Sequence, residues 1–304
     1  MPRRRVRAEP PGAESSGRAP GRHDRRRRIA ETRLVDLAAY FRRIGFDGAP
    51  TPTLATLREL QLAHAQSIAF ENLNPLMGWP VALDLASIEE KLVRTRRGGY
   101  CFEQNALLAQ VLREIGFNIS GLAARVIWNA PEDAVRPRSH MLLKVDIDGE
   151  PYIADVGFGG LTPTGPLRLA IDIEQATPHE PFRLVTVERD FKLQGLVAGA
   201  WKSLYRFDLQ PQLEPDYQVA NHFTATYPTS HFRLMVVAAL PFTGGRHALS
   251  NNQLTVHRLD GPSERRVLAS VKEVRETLES LFGIALPPAA ELDPALARAC
   301  SFPA

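Results

Sequence analysis

The stretch with the clearest local structure in this 304-residue sequence is His140-Met-Leu-Leu-Lys-Val-Asp-Ile-Asp-Gly-Glu-Pro-Tyr-Ile-Ala-Asp155. Its Asp148-Gly149 dipeptide is a strong signal for a two-residue turn in an antiparallel β-hairpin. Such a turn pairs residue 147 with 150, 145 with 152 and, further along, 142 with 155. His140 and Asp155 then share a face as diagonal neighbours, whose Cα atoms lie about 7–8 Å apart. A hydrogen bond between imidazole and carboxylate can bridge that separation, whereas a three-residue loop would put the two side chains on opposite faces.

Each of these two side chains also has an ordinary structural interpretation. His140 alone is more simply a hydrogen-bonded core histidine, and Asp155 alone is more simply one half of a salt bridge. Their common position on one face of one hairpin favours a functional pair.

A cysteine precedes this hairpin in the chain and has the local setting of a nucleophile. Cys101 follows Arg97-Gly98-Gly99-Tyr100 and opens an amphipathic helical pattern that runs to Gly116. The positive end of the helix dipole and the unpaired N–H groups of the first turn favour the thiolate over the thiol. The two glycines permit a tight turn and leave room beside the sulfur. A buried, inert cysteine fits the position alone equally well.

Together, Cys101, His140 and Asp155 supply a nucleophile, a base and a group that orients the base. A metal site is the competing use of these residue types, but no second cysteine stands at a chelating distance in sequence, since Cys300 is near the C-terminus. The glycines at 157, 159 and 160 follow a strand without the full dinucleotide-binding pattern or the helix expected after it. We therefore predict a catalytic triad and no metal.

The sequence pattern changes along the chain, from helical to strand-like to mixed, and this order predicts an α+β fold. Helical patterns dominate up to about residue 118, with starts near Leu34, Leu54, Ser87 and Cys101, and Ser87 with Glu90 matches a capping box. Runs typical of strands follow at residues 121–128, 140–147, 152–156, 182–188 and 201–209. The last part mixes strands at 232–239 and 253–259 with a helix at 271–282. This order argues against a doubly wound parallel sheet.

Charge is distributed unevenly. Residues 1–28 hold ten arginines and three acids, net +7, whereas the remaining residues are net −4. The high isoelectric point therefore belongs to the tail, which we expect to be disordered, and not to the body of the protein. The hypothesis that the protein binds nucleic acid depends on this tail alone, and we expect no nucleic-acid partner.

Composition also bears on where the protein resides. The longest strongly apolar run is the seven residues 234–240, far below the roughly 18 that a membrane span needs. The basic N-terminus has no apolar stretch behind it, which argues against secretion. Two cysteines do not make a disulfide framework and are typical of a reducing compartment. We expect a cytoplasmic protein with no membrane partner.

Around Cys101, His140 and Asp155 the sequence resembles the arylamine N-acetyltransferase family. The resemblance covers residues 33–285 and departs from the family's usual pattern at Ala69, where a proline is common. It rests on the segments Arg97-Gly-Gly-Tyr-Cys-Phe-Glu-Gln-Asn105, His140, Asp155-Val-Gly-Phe-Gly-Gly160, Tyr40-Phe-Arg-Arg-Ile-Gly45, Phe70-Glu-Asn-Leu-Asn74 and Asn221 with Ser230-His-Phe232.

This resemblance implies a three-part architecture with a papain-like Cys-His-Asp triad. The expected parts are a helical domain at 29–118 carrying the cysteine, an antiparallel β-barrel at 119–221 carrying histidine and aspartate, and an α/β lid at 222–290. The disordered basic tail at 1–28 and a C-terminal tail at 291–304 complete the chain.

The resemblance also implies ping-pong acetyl transfer with acetyl-CoA as co-substrate, an activity associated with xenobiotic metabolism. Cys101 would take the acetyl group, and an arylamine, arylhydrazine or hydrazide would then accept it, with His140 carrying the proton in both halves. Further roles are implied for acceptor binding (Phe70, Val126, Phe158), donor binding (Gly157, Gly159, Gly160) and support of the cysteine loop (Arg97, Glu71, Asn74).

Two related activities compete with this one. An amide synthase of natural-product biosynthesis would pass a larger acyl chain from Cys101 to an aromatic amine. A cysteine hydrolase, peptidase-like or transglutaminase-like, would share the triad and give the acyl group to water or lysine.

Overall fold

Helices form the first part of the chain in the computed structural model, which describes residues 34–302. The predicted basic tail at 1–28 lies outside the described residues. The helix that opens at Cys101 begins and ends where the sequence predicts, with Gly116 in the left-handed conformation at its C-terminus. The helices of this part are α1 (Leu37–Ile44), α2 (Leu54–Ser67), α3 (Leu73–Met77), α4 (Leu85–Glu89) and α5 (Cys101–Ile115).

The predicted capping box at Ser87 and Glu90 is wrong. Asp84 is the N-cap of α4, and its carboxylate accepts a 3.0 Å hydrogen bond from the backbone N–H of Ser87. Ser87 therefore lies inside the helix. Glu90 begins a π-helical turn, Glu90–Arg94, that continues α4. An aspartate three residues upstream of Ser87 caps the helix as well as serine would, and this decides where α4 begins.

The middle of the chain forms an almost closed antiparallel barrel. Its sheet has the strand order β5-β4-β3-β2-β8-β7-β6. The segment after β5 returns to the other edge, where Gln175 and Phe182 exchange backbone hydrogen bonds of 2.8 and 2.9 Å. The strands are β2 (Asn118–Val126), β3 (Arg138–Ile147), β4 (Glu150–Ala154), β5 (Leu167–Arg168), β6 (Phe182–Val187), β7 (Asp190–Val197) and β8 (Ala200–Phe207).

The predicted hairpin is the β3–β4 pair of this barrel, and its register is as expected. Ile147 pairs with Glu150, and Val145 pairs with Tyr152. Asp148 and Gly149 both have positive φ, +52° and +83°, as a type I′ turn requires.

A second antiparallel sheet is built largely from the last part of the chain. It has the order β1-β9-β10-β11-β12, so that the short strand beside Cys101, β1, joins strands from the end of the chain. Its elements are β1 (Phe70–Glu71), β9 (Val237–Phe242), β10 (Gly245–Ser250), β11 (Gln253–Arg258) and β12 (Glu264–Val267), and the accompanying helices are α6 (Glu214–Thr226), α7 (His231–Leu234), α8 (Val271–Ser280) and α9 (Ala289–Ala299).

Two expectations for this last part differ from the structure. The strand predicted at 232–239 is wrong in its first half, because His231–Leu234 form a helical turn and β9 begins only at Val237. A short apolar run alone does not distinguish the two conformations. The segment expected as a C-terminal tail contains α9, whose Leu292 and Leu296 are buried in the core beneath the second sheet.

The α+β fold is as predicted from the sequence, while the proposed domain boundaries stay a prediction. None of the helices between residues 34 and 302 combines the length and apolar character needed to cross a bilayer.

Candidate active site

Cys101 is the first residue of α5, and it is buried. Its thiol lies 3.7 Å from the carbonyl oxygen of Ser139, the residue before His140. The helix start is capped from within, because the Glu103 carboxylate accepts a 3.1 Å hydrogen bond from the N–H of Tyr100. The helix thus presents the sulfur directly to the start of the β3–β4 hairpin.

His140 and Asp155 form the hydrogen-bonded pair that the hairpin predicts. The His140 Nε2 and Asp155 Oδ2 atoms are 2.7 Å apart, and both side chains are buried. Burial opposes the charge on His140, but Asp155 and the Cys101 sulfur outweigh it and raise the pKa of the imidazole to about 10. Burial likewise opposes the charge on Asp155, but His140, Asn105 and the N–H of Gly157 lower the pKa of the carboxyl. The pair is therefore an imidazolium and a carboxylate at neutral pH.

Asn105 holds this pair to the helix, and sequence reasoning gave it no role. Its Nδ2 donates to Asp155 Oδ1 (2.9 Å) and to the carbonyl of Met141 (2.7 Å). Its Oδ1 accepts from the N–H of Val156 (3.1 Å). Asn105 lies one helical turn after Cys101 and so on the same face of α5, which is the signal that could have identified it.

The glycines after Asp155 bring the backbone against Cys101. A Cβ on Gly157 would lie 2.6 Å from the Cα of Cys101. Gly159 has φ +86°, and its N–H donates to the hydroxyl of Thr162 at 2.8 Å. A Cβ on Gly160 would meet no atom within 4 Å. Gly157 is therefore required by packing, Gly159 by conformation and Gly160 by neither.

Two aromatic rings pack against the imidazole of His140. The ring of Phe158 meets that of His140 edge-on at 5.4 Å, and the Tyr205 ring lies 4.9 Å away. Val126 is the cross-strand partner of Tyr205. Phe70 packs against Gly159. Phe158 therefore lies directly against His140, while acceptor binding by Phe70, Val126 and Phe158 stays a prediction.

Comparison with known proteins gives the family. The arylamine N-acetyltransferase of Mycobacterium tuberculosis (strain ATCC 25618 / H37Rv) is 44% identical over 254 residues, which cover 82% of this chain and 89% of that relative. A family model described as N-acetyltransferase matches residues 53–291. This chain belongs to the arylamine N-acetyltransferase family.

Other members show how far this similarity extends. The Escherichia coli (strain K12) arylamine N-acetyltransferase is also 44% identical, over 81% of this chain and 87% of its own. The solved structure of the Mycobacterium marinum arylamine N-acetyltransferase superposes with a TM-score of 0.85 at 41% identity, covering 88% of this chain and all of the other. A second structure of that enzyme is a complex with CoA and gives the same TM-score.

The polar residues that family resemblance assigns to the cysteine loop do meet in this arylamine N-acetyltransferase fold. Arg97 Nη2 donates to Glu71 Oε1 (2.8 Å) and to Asn74 Oδ1 (2.9 Å). Burial opposes the charge on Glu71, but Arg97 and Lys91 outweigh it and lower the pKa of the carboxyl. The N–H of Glu71 also donates to the carbonyl of Gly99 at 3.1 Å, which ties this ion pair to the loop.

Two further observations concern alternatives to the acetyltransferase chemistry. Within residues 34–302, no group of three or more His, Cys, Asp or Glu side chains is arranged to hold a metal ion. Cys300 ends α9 in the second sheet's core, where burial raises the pKa of its thiol to about 11. A buried thiol with such a pKa is a poor nucleophile.

Proposed function

We propose that this protein is an acetyl-CoA-dependent arylamine N-acetyltransferase that works through an acetyl thioester on Cys101. The observation that carries the mechanism is the His140–Asp155 pair, charged and buried, on the hairpin whose edge the Cys101 sulfur touches. The names of the relatives support the acceptor, and the CoA complex of the Mycobacterium marinum enzyme supports the donor.

In the first half-reaction the Cys101 thiolate attacks the carbonyl carbon of the acetyl thioester. The bond from that carbon to the sulfur of CoA breaks as the bond to the Cys101 sulfur forms. His140, charged before the reaction, gives its proton to the departing thiolate, so that free CoA leaves as a thiol. Asp155 keeps the imidazole oriented while its charge changes.

In the second half-reaction the nitrogen of the acceptor attacks the acetyl-Cys101 carbonyl. The carbon–sulfur bond breaks, Cys101 leaves as a thiolate, and neutral His140 takes one proton from the attacking nitrogen. The imidazolium and thiolate that began the cycle are restored. An arylamine is weakly basic and already neutral at pH 7, so it needs no deprotonation before it attacks.

The walls of the site support an aromatic acceptor. Phe158 offers an apolar ring beside His140, and Phe70 and Val126, next to Gly159 and Tyr205, would extend this surface for a flat acceptor ring. We extend the acceptors to arylhydrazines and hydrazides, whose terminal nitrogen is also uncharged near neutral pH. For the donor we propose the backbone of Gly157, Gly159 and Gly160, where side chains do not obstruct a thioester approaching Cys101.

We further propose that the protein is cytoplasmic and has no nucleic-acid or membrane partner. Cys101 and Cys300 are both free thiols, as is usual in a reducing compartment. The chain after residue 28 carries net negative charge, which does not favour binding to nucleic acid.

The deciding experiment is incubation of the full chain with acetyl-CoA and an aniline-type or hydrazide acceptor. We expect acetylated product and, without acceptor, one acetyl group on Cys101 by mass spectrometry, with neither in Cys101→Ala. Rapid release of acetate in place of product would favour a hydrolase. Transfer only from a larger acyl thioester would favour an amide synthase, and absence of both adduct and product would refute the proposal.

A further inference from the structure

Three fully buried side chains, on α1, α2 and α5, form a hydrogen-bonded network. The Tyr40 hydroxyl lies 2.8 Å from Nδ1 of His64, on α2. Nε2 of His64 lies 2.7 Å from Oε1 of Gln104, on α5. Relative exposure is 0% for all three residues. None of them touches the His140–Asp155 pair, so the proposed mechanism leaves them without a role.

At the α5 end of this network, Gln104 contacts the backbone of two separate segments. Gln104 Nε2 donates to the carbonyl oxygens of Ala69 (2.9 Å), Ile68 (3.2 Å) and Gly99 (3.2 Å). Ile68 and Ala69 lead into β1, and Gly99 is two residues before Cys101. One amide group therefore joins the segment that carries Phe70 to the loop that carries the nucleophile.

These carbonyls fix the direction of every hydrogen bond in this network. A carbonyl oxygen only accepts, so the amide must present its NH2 to them and its oxygen to His64. That oxygen needs a donor, so the imidazole proton is on Nε2. Nδ1 is then an acceptor, and the Tyr40 hydroxyl donates to it. The opposite direction would set the amide oxygen against three carbonyl oxygens, at the cost of buried, unpaired polar atoms.

We propose that His64 is a positioning residue for acetyl transfer: its neutral Nε2–H tautomer locks the Gln104 amide, which holds the Gly99–Cys101 loop and β1 in their working arrangement. This role rests on the proposed function, since it acts through Cys101.

The charge state of His64 agrees with this role. Burial lowers the pKa of the imidazole to about 4 and outweighs the hydrogen bond that His64 donates to Gln104, and nearby Arg43 lowers the pKa further. His64 is therefore neutral throughout the neutral range. His140 faces a carboxylate and is charged over the same range.

Two substitutions of His64 separate positioning from simple filling of space. His64→Phe keeps a ring but removes the donor, whereas His64→Gln offers an amide N–H toward the place of Nε2. We expect His64→Phe to slow acetylation of Cys101 about tenfold, as suits one lost buried hydrogen bond. His64→Gln should restore most of the rate. A His64→Phe protein with the wild-type rate would overturn the proposal.

Tyr40→Phe tests the α1 end of the network with a conservative change. It removes the donor to Nδ1, and we expect a smaller loss of acetylation rate, about threefold. Tyr217→Phe is the matched control, because it also removes a buried hydroxyl, one that donates to the Leu122 carbonyl at 3.1 Å, and it should leave the rate unchanged. Equal losses in the two variants would count against a specific role for Tyr40.

The tautomer itself is measurable without activity. Nitrogen-15 NMR of the imidazole should show His64 neutral with its proton on Nε2 at pH 7, and this holds even if the His64→Phe chain does not fold. A proton on Nδ1, or a charged ring, would overturn the inference. If the wild type acetylates nothing, the proposed function fails while the tautomer still tests the network.

Discussion

The partner of each buried histidine decides what that histidine can do. His140 faces the Asp155 carboxylate, and so the pKa of its imidazole rises despite burial. His64 faces an amide and a phenol, neither of which offsets the cost of burying a charge, and so its pKa falls. Only the first is equipped to hand a proton to a leaving thiolate.

Asp155→Asn tests the carboxylate directly. An amide at this position no longer favours the imidazolium, and it can present N–H to Nε2 and so reverse the tautomer. We expect the turnover number to fall by about 10²–10⁴-fold, the usual contribution of a positioned acid–base group. Steady-state kinetics with an arylamine at saturating acetyl-CoA measures it. Circular dichroism of the variant is the control for folding, and a fall of less than about fivefold would contradict the proposed role.

The same pair predicts how stability depends on pH. The pKa of His140 is raised from its ordinary value of about 6.5 to about 10 in the folded protein. Its contribution to stability is therefore complete below about pH 6.5 and is lost as the pH rises toward 10. In urea unfolding at several pH values, we expect the free energy of unfolding of the wild type to fall relative to His140→Gln across this window. Parallel profiles would show that folding does not raise the pKa of His140.

At the scale of elements, the β3–β4 hairpin and α5 could be predicted because their signals are local. A two-residue turn fixes the register from His140 to Asp155, and a glycine-rich approach followed by an apolar helical pattern fixes the start of α5. Both parts of the proposed triad follow from such signals. The helical turn at His231–Leu234 did not follow, because its apolar residues fit a strand as well as a helix.

Interactions between distant segments could not be predicted in the same way. Asn105 and Asp155 are fifty residues apart, and Gln104 and His64 are forty apart. Nothing near these polar side chains in sequence shows which backbone groups they will meet. Their roles emerge only when α5 is packed against the barrel and α2.

Gly157→Ala tests how closely the barrel approaches α5. The added Cβ would lie 2.6 Å from the Cα of Cys101 and 2.8 Å from Nδ2 of Asn105, and backbone atoms cannot rotate away. We expect a loss of about 1–3 kcal/mol in the free energy of unfolding, as for overpacking, together with slower acetylation of Cys101. Gly261→Ala is the matched control, because its Cβ would meet nothing nearer than 4.0 Å. Equal stability of the two variants would contradict the close approach.

At the scale of the molecule, a polar cluster joins the barrel to the second sheet. The Glu180 carboxylate, just before β6, accepts from Arg246 Nε on β10 at 2.8 Å. His179 beside it donates from Nε2 to the carbonyl of Phe242 at 2.9 Å. Arg246 is only 2% exposed, so its charge depends on Glu180 for compensation. This cluster links the two sheets, because His179 and Glu180 precede β6 of the barrel and Arg246 lies on β10 of the second sheet.

Glu180→Gln should therefore destabilise the whole fold. It keeps the volume but leaves the buried guanidinium without a counter-charge, and we expect a loss of about 2–4 kcal/mol in the free energy of unfolding. Glu276→Gln is the control, since Glu276 and its partner Lys272 are 59% and 84% exposed, and its loss should stay below about 1 kcal/mol. Urea unfolding measures both. Similar values for the two variants would show that Arg246 needs no counter-charge.

The basic tail gives a second expectation at this scale. Its ten arginines carry the chain's excess positive charge, while Cys101, His140, Asp155 and the partners described for them within residues 34–302 belong to the rest of the chain. We expect removal of residues 1–28 to leave kcat/KM for acetyl transfer within about twofold, as for an inert terminus. A large loss of activity in the shortened chain would show that the tail takes part in the reaction.

The type I′ turn at Asp148-Gly149 limits how this part of the chain can change during evolution. Side chains alternate between the two faces of a strand, so inserting or deleting one residue between His140 and Asp155 would turn one of them away from the other. Length changes in the nearby loops leave His140 and Asp155 on the same face of the hairpin. Substitutions are therefore tolerated across the hairpin far more readily than a gap within it, and a homologue with a one-residue gap there should either carry a compensating β-bulge or have lost the enzyme's chemistry.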